Sequence, residues 1–231
     1  MIRFEHIHKS YNLGNTRFTA LDNLSLDVSE GEFLALAGPS GSGKTTLLNL
    51  AGCIDKPDSG RIWIDGEEVT DIALSALARK RRSRLGFVFQ SFNLIPVLTA
   101  FENVEYPLMI SGMPKRERQQ WADSWLERVG LASHAKKRPD QLSGGQRQRV
   151  AIARAMVGAP AVVIADEPTA NLDSVTTTEV LDLLQQINRE TATTFLLATH
   201  DPLVMERASR TVHMRDGRIV SIEQERPALA C

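Results

Sequence analysis

A glycine-rich stretch at residues 38–45 has the residue types and the spacing that bind phosphate. It fits the pattern G-x-x-x-x-G-K-[ST], between an apolar run at 33–37 and a helical run at 46–50. Backbone N–H groups of such a loop can curl around phosphate oxygens, because glycine carries no Cβ. The following helix points its positive end at the same oxygens. The candidate residues are Gly38, Pro39, Ser40, Gly41, Ser42, Gly43, Lys44, Thr45 and Thr46.

Two side chains of this stretch indicate what kind of phosphate compound it binds. Lys44 is placed to reach β- and γ-phosphates, and the Thr45 hydroxyl is placed to ligate Mg²⁺. The alternative is a chance glycine-rich turn before a helix, and the correct flanking runs argue against it. We therefore expect a site for a nucleoside triphosphate.

A second helix start, at residues 142–146, is also suited to an anion. Ser143 is a natural N-cap, and Gly144 and Gly145 leave backbone amides bare before a helix predicted for 146–156 that begins at Gln146. The alternative is an ordinary helix N-terminus that contains two glycines and binds no anion. If both helix starts face the same γ-phosphate, they need not come from the same copy of the chain.

Polar residues follow two apolar runs that read as strands. Asp166 and Glu167 end the run 162–165, and His200 follows the run 194–198. Sites in α/β proteins gather at the carboxyl ends of strands. There, Asp166 could hold the Mg²⁺ water shell, Glu167 could accept a proton from an attacking water, and His200 could donate to a γ-phosphate. Solvated acids and a structural histidine are the alternatives.

Composition limits the class of protein. The chain has 231 residues, 42% of them hydrophobic and 24% charged, which suits one large α/β domain. A net charge of −1 gives no general positive field for nucleic acid, so we expect no nucleic-acid partner. The basic run at 79–84 fits a solvated helix face, or else a patch for nucleic acid or lipid headgroups. Two distant cysteines, and the lack of a membrane-spanning run or a signal peptide, predict a cytosolic chain.

Local patterns predict the elements that must position these residues. Strands are expected at 2–11 and 21–28, and a hairpin is expected around Asp65-Gly66. Helical spacing begins at Thr99, where Glu102 completes a capping box, and it places Trp121 and Trp125 on one core-facing side. A β-α-β unit over 161–198 predicts parallel buried strands. A final hairpin is expected to turn at Asp216-Gly217.

These elements together predict an α/β core that is interrupted by a mostly helical insertion. We expect a single domain over 1–231. Its core comprises 1–90 and 159–222, including an antiparallel β subdomain at the N-terminal side. The insertion spans 91–158, and a tail follows at 223–231.

As a set and in this order, the motifs resemble the ATP-binding subunit of an ABC (ATP-binding cassette) transporter, from about residue 2 to about residue 222. The resemblance rests on the loop at 38–45, Gln90 after a strand, the signature at 142–146, the Asp166-Glu167 strand end, the turn at 171–173, and His200. It implies a P-loop NTPase (RecA-like) core that binds ATP and Mg²⁺.

The resemblance also implies a role for each candidate residue. Lys44 and the loop amides would hold phosphates, and Thr45 and Gln90 would ligate Mg²⁺, with Asp166 acting through water. Glu167 would be the general base and His200 a γ-phosphate contact. Tyr11 would stack on adenine, with Phe18 as the competing ring.

Partners follow from the same resemblance. Residues 143–146 would close over the ATP of a second copy, which gives a head-to-tail homodimer, and Asp173 would act across that interface. A transmembrane permease on a separate chain would contact the region near 90–96. The subunit would then be cytoplasmic and peripheral on the inner face of the plasma membrane.

Four segments resemble one branch of the family, the macrolide-exporter and lipoprotein-releasing branch. They are 52–57, 87–96, 99–104 and 168–173, with Ala170 standing where many relatives carry glycine. Gln146 fits the macrolide type better than the lipoprotein-releasing type. This branch implies export or mechanical transmission. The alternative is a regulatory ATPase that drives a membrane protein in cell-envelope or cell-division signalling without transporting cargo.

Overall fold

Two β-sheets and the helices around them form the protein in a computed structural model that describes residues 1–14 and 16–224. The strands are β1 (Ile2–Leu13), β2 (Thr16–Val28), β3 (Phe33–Ala37), β4 (Ser59–Ile64), β5 (Glu67–Glu68), β6 (Leu85–Phe89), β7 (Val162–Asp166), β8 (Thr194–Thr199), β9 (Arg210–Arg215) and β10 (Arg218–Gln224). The helices are α1 (Lys44–Ala51), α2 (Leu74–Arg84), α3 (Ala100–Ile110), α4 (Lys115–Arg128), α5 (Gly144–Met156), α6 (Ser174–Thr191) and α7 (Pro202–Arg207). The predicted tail beyond residue 224 lies outside the described residues.

The larger sheet positions the candidate site. Its order is β10-β9-β3-β8-β7-β6, and all of its neighbouring pairs are parallel except β9 with β10. β3 and β8 are buried along their whole length, as expected of parallel strands covered on both faces. The predicted parallel β-α-β unit is confirmed as β7-α6-β8. Strands β3, β6, β7 and β8 therefore end at the same edge.

The smaller sheet is antiparallel, with the order β2-β1-β4-β5. Its buried side chains, among them Phe4, Leu21 and Leu26, pack with Leu47 and Leu50 of α1 in one apolar cluster. The strands are longer than predicted, because β1 and β2 pair through Asn12 and Arg17. Their outer ends are exposed, so backbone pairing continues there without the apolar alternation that marks a strand in sequence.

Helices α3, α4 and α5 pack beside the larger sheet and form the predicted helical part. The capping box of α3 is confirmed, since Thr99 accepts from the Glu102 amide and Glu102 accepts from the Thr99 amide. One prediction about α4 was wrong. Trp125 is buried, but Trp121 is 43% exposed. The buried stripe of α4 runs through Ala122, Trp125 and Leu126, which leaves Trp121 at its edge.

Candidate active site

A cavity of about 600 Å³ opens at the carboxyl edge of the larger sheet. It gathers the phosphate loop after β3, the residues after β6 and β7, and His200 after β8. The lining residues are Phe18, Ala20, Pro39, Ser40, Gly41, Ser42, Gly43, Lys44, Thr45, Thr46, Gln90, Asp166, Glu167 and His200. Most of the residues singled out from the sequence for phosphate and metal chemistry therefore share one cavity.

The phosphate loop has a backbone that favours glycine at three positions. Gly38, Gly41 and Gly43 have φ of 153°, 81° and 100°, in the region that L side chains rarely adopt. A Cβ on Gly43 would lie 2.4 Å from the Ala20 carbonyl oxygen. Among the described residues, no side chain caps α1, which begins at Lys44, so its first amides remain available to a ligand.

Two further donors of the loop suit phosphate oxygens. The Lys44 Nζ donates to the Gly38 and Pro39 carbonyls at 2.7 and 3.0 Å, which holds the ammonium group across the loop. The Ser42 hydroxyl is buried and has no hydrogen-bond partner among the residues that the structure describes. A buried donor of this kind is costly unless it finds an acceptor. The loop therefore fits a phosphate group.

Oxygen donors suited to Mg²⁺ lie beside the loop. The Thr45 hydroxyl donates to the Asp166 carboxylate at 3.1 Å, and exposed Gln90 follows β6 at the same edge. The pKa of Asp166 is raised, chiefly by burial and also by the negative charge of Glu167. The hydrogen bond from Thr45 and the positive charge of Lys44 lower the pKa, but they do not cancel the rise. A divalent cation would offset the cost of burying this carboxylate. Hydroxyl, amide and carboxylate oxygens, completed by phosphate oxygens and water, match the ligands that Mg²⁺ prefers.

Glu167 and His200 meet directly, a contact that sequence reasoning did not anticipate. The His200 Nδ1 lies 2.9 Å from the Glu167 Oε1, although 33 residues separate them. Glu167 has a left-handed φ of 48°, and its amide donates to the Ala198 carbonyl at 2.9 Å. The turn after β7 thus aims the Glu167 side chain at His200. The adjacency of β7 and β8 could have indicated that the two residues lie close together, although not that their side chains meet.

Of the two rings considered for adenine, Phe18 lines the cavity and Tyr11 lies beside it. They are cross-strand partners, so both project from the same face of the β1–β2 pair. The Tyr11 hydroxyl donates to Asp55 at 2.8 Å, and the Lys9 ammonium lies 5.1 Å from the ring centroid. Burial and the bond to Asp55 raise the Tyr11 pKa, whereas a bond with Thr46 lowers it. Sequence reasoning missed Lys9 and Asp55, which hold Tyr11 in place.

The signature residues at the start of α5 are not among the residues that line this cavity. Ser143 and Gln146 cap the helix reciprocally, and the Gln146 Nε2 lies 3.1 Å from the His134 Nε2. Gly145 packs so closely on α6 that an added Cβ would lie 2.4 Å from the Thr176 Cγ2. The two predicted phosphate-binding helix starts are therefore separated within one chain.

A second groove, of about 430 Å³, lies between α2, β6, α3 and α5. Its apolar surface includes Phe87, Phe89 and Ile110, and Arg81, Arg82 and Arg154 contribute positive charge. Arg154 also donates to the Phe92 and Asn93 carbonyls at 2.8 and 2.5 Å. This groove therefore adjoins the segment that follows Gln90.

Comparison with known proteins identifies the family. A family model described as "ABC transporter" matches residues 21–170. The chain belongs to the ABC transporter family. It is 46% identical over 220 residues to the uncharacterized ABC transporter ATP-binding protein YknY of Bacillus subtilis, covering 95% of each chain. As a member of this family, it is an ATPase, and ATP is its nucleotide.

A solved structure and a longer relative extend the comparison. The ATP-binding cassette MJ0796, in a dimeric post-hydrolysis state bound to ADP and Pi, superposes with a TM-score of 0.91 and 42% identity, over 99% of this chain and all of that one. The macrolide export ATP-binding/permease protein MacB of Syntrophobacter fumaroxidans is 48% identical over 221 residues. That match covers 95% of this chain but only 31% of the relative. Within 1–14 and 16–224, no helix has the length and apolarity needed to cross a membrane.

Proposed function

We propose that two copies of this chain bind ATP head-to-tail and hydrolyse it to drive a membrane permease. One observation carries the proposal: the cavity contains Lys44, Glu167 and His200, but residues 143–146 lie outside it. A second copy could bring its own α5 helix start to the γ-phosphate. The dimeric state named for the MJ0796 structure supports this arrangement.

Within each site, we assign the phosphates to the loop and to Lys44, whose ammonium would exchange loop carbonyls for phosphate oxygens. Thr45 and Gln90 would hold Mg²⁺, with Asp166 acting through water, and the bound ion would neutralise charge on the phosphates. Glu167 would take the proton of the attacking water, and the contact with His200 would orient its carboxylate. His200, 69% exposed at its side chain, could also reach the γ-phosphate.

The adenine ring is assigned to Tyr11, with Phe18 as the adjoining wall. Lys9 covers one face of the Tyr11 ring, and Asp55 holds its hydroxyl, so the ring is already oriented before nucleotide binds. Base stacking on an oriented aromatic ring loses little side-chain entropy.

The permease is assigned to a separate chain that docks in the groove beside residues 90–96. An apolar groove whose lining includes three arginines, Arg81, Arg82 and Arg154, suits a short amphipathic segment with acidic residues. The names of the longer MacB relatives include a permease, which supports a membrane partner for this chain. Through it the subunit would sit on the cytoplasmic face of the plasma membrane.

Export or mechanical transmission is the task that the branch resemblance favours. The alternative, a regulatory ATPase that moves a membrane protein without cargo, is not favoured by relatives that are named as export proteins. Reconstitution with the permease separates the two, because cargo movement coupled to hydrolysis supports export, and hydrolysis without cargo supports regulation.

The central experiment replaces Glu167 by Gln. Turnover should fall at least about 100-fold, as when a single transition-state group is removed, while ATP affinity stays within twofold. With Mg²⁺ and ATP, the Glu167→Gln variant should run as a dimer in size-exclusion chromatography with light scattering. The matched control is Glu206→Gln, an exposed glutamate on α7 outside the cavity. A normal rate in Glu167→Gln would remove Glu167 from the role of base, and monomers with bound ATP would contradict the shared site.

A further inference from the structure

Helix α5 reaches from the signature residues to the turn that carries Glu167. The Gln148 side chain is fully buried, and its Nε2 donates to the Pro168 carbonyl at 2.6 Å. The opposite orientation of the amide would set two oxygens against each other, so the assignment follows from chemistry. Gln148 thus ties the second turn of α5 to the residue next to Glu167.

The turn that Gln148 holds has an unusual backbone. Glu167 adopts φ of 48°, in the left-handed region. This conformation is unfavourable for a residue other than glycine, and it persists only where surrounding contacts impose it. One such contact is the Glu167 amide bond to Ala198 on the adjoining strand. The Gln148 bond to Pro168 is the contact on the other side of the same turn. Together they determine where the Glu167 carboxylate points.

The start of α5 also packs on the continuation of this turn. The site of a Cβ on Gly144 lies 3.6 Å from the Asn171 carbonyl oxygen, and that on Gly145 lies 2.4 Å from the Thr176 Cγ2. At Gly145 the contact is so close that not even a methyl group would fit between α5 and the start of α6. A displacement of α5 would therefore be transmitted to the turn.

The Gln148 contact is not explained by stability alone. The Gln148 Oε1 is buried and lacks a hydrogen-bond partner among the described residues. A half-satisfied buried amide is less favourable than an apolar side chain of similar size. A buried position selected only for packing would accept methionine.

We propose that Gln148 is a positioning residue for ATP hydrolysis: it couples the signature helix of a subunit to the Glu167 turn of the same subunit. When residues 143–146 engage the ATP of the second copy, the position of α5 sets the Glu167 geometry at the subunit's own ATP. The inference rests on the proposed head-to-tail dimer. It adds a link between the two ATP sites that runs inside one chain.

The experiment replaces Gln148 by Met, which keeps the volume and removes the donor. In the full chain, kcat for ATP hydrolysis should fall by about tenfold or more with KM within twofold, because misplacing a reacting group costs rate. The backbone amides of segment 167–173 should exchange hydrogen about tenfold faster, because the loss of a stabilising hydrogen bond makes local opening easier. The exchange measurement does not depend on turnover. Arg149→Met is the matched control, since Arg149 lies next on α5 but pairs with Glu179 of α6.

The outcomes separate the inference from the function on which it rests. A Gln148→Met variant with normal kcat and normal exchange at 167–173 would overturn the coupling, even if Glu167→Gln is inactive. If Glu167→Gln stays active, Glu167 is not the general base, and the proposed function is contradicted before the coupling through Gln148 is tested. Gln148→Asn is a second variant for the case in which Gln148→Met does not fold. It keeps the amide group, but its side chain is one methylene shorter. If both Gln148 variants fail to fold, or if exchange quickens equally throughout the chain, Gln148 is a structural core residue and the proposal is wrong.

Discussion

Two helix starts in this molecule are suited to phosphate, and they are built differently. α1 begins after Gly43 in a left-handed conformation and has no side-chain cap. α5 begins after Ser143 in an extended conformation, with φ of −64° and ψ of 167°, and has a complete capping box. The first helix start leaves its amides to a ligand, whereas the second satisfies part of its amides within the chain.

The difference fits two different tasks. The first turn of α1 lines the cavity, where Lys44 would supply positive charge and Thr45 a ligand for the metal ion. α5 lies outside the cavity of its own chain, beside His134 and α6. A helix start that is stable without a ligand can present Ser143 to a nucleotide that arrives with another copy. In the proposed dimer, the first helix start would hold the nucleotide and the second would sense it.

The largest expected effect removes the charge of the first helix start. Lys44→Ala should weaken ATP binding and lower the rate of hydrolysis by at least about 10²–10³-fold, because a preorganised donor to the developing charge is lost. Steady-state ATPase assays and fluorescence titration with a labelled nucleotide measure both quantities. Unchanged affinity and rate would contradict the assignment of the loop.

A second prediction compares the close-packed glycines of the two helix starts. Gly145→Ala should lower the free energy of unfolding by about 1–3 kcal/mol, because its Cβ would overlap the Thr176 Cγ2. Thr176→Ser removes that methyl and keeps the hydroxyl that bonds to Asp173, so the double variant should recover. Gly43→Ala should admit no such rescue, since its Cβ would meet a backbone oxygen. Urea denaturation of the nucleotide-free variants measures these changes, and equal losses in the single and double Gly145 variants would disprove the steric explanation.

Much of this arrangement was predictable because it depends on local rules. Parallel strands place residues that follow them at one edge, which brought Lys44, Gln90 and Asp166 into one cavity. The contacts of Glu167 with His200 and of Gln148 with Pro168 were not predictable. They depend on a left-handed backbone and on rotamers that only tertiary packing selects. The exposure of Trp121 also depends on tertiary packing. Helical spacing indicates which face of α4 is buried, but it does not indicate how wide the buried face is.

A third prediction concerns the adenine base, which Tyr11 of β1 and Phe18 of β2 should contact beside the first helix start. Tyr11→Ala should raise the dissociation constant for ATP about tenfold, as expected for the loss of one stacking ring, and Phe18→Ala should raise it less. Tyr11→Phe keeps the ring but loses the bond to Asp55, so its effect should be smaller still. Equilibrium binding assays with ATP rank the three variants. A larger effect of Phe18→Ala than of Tyr11→Ala would make Phe18 the adenine platform.

The smallest expected effect tests the second helix start. Ser143→Ala removes the hydroxyl that accepts from the Gln146 amide and should lower the free energy of unfolding by about 1 kcal/mol. Thr99→Ala removes the same type of cap from α3, away from both nucleotide-binding helix starts, and should cost about the same. In the Glu167→Gln background, only the Ser143 change should weaken ATP-dependent dimerisation, while ATP binding by the single chain stays within twofold. If the two cap variants dimerise equally well, Ser143 acts only as a cap, and the sensing role of α5 has to be abandoned.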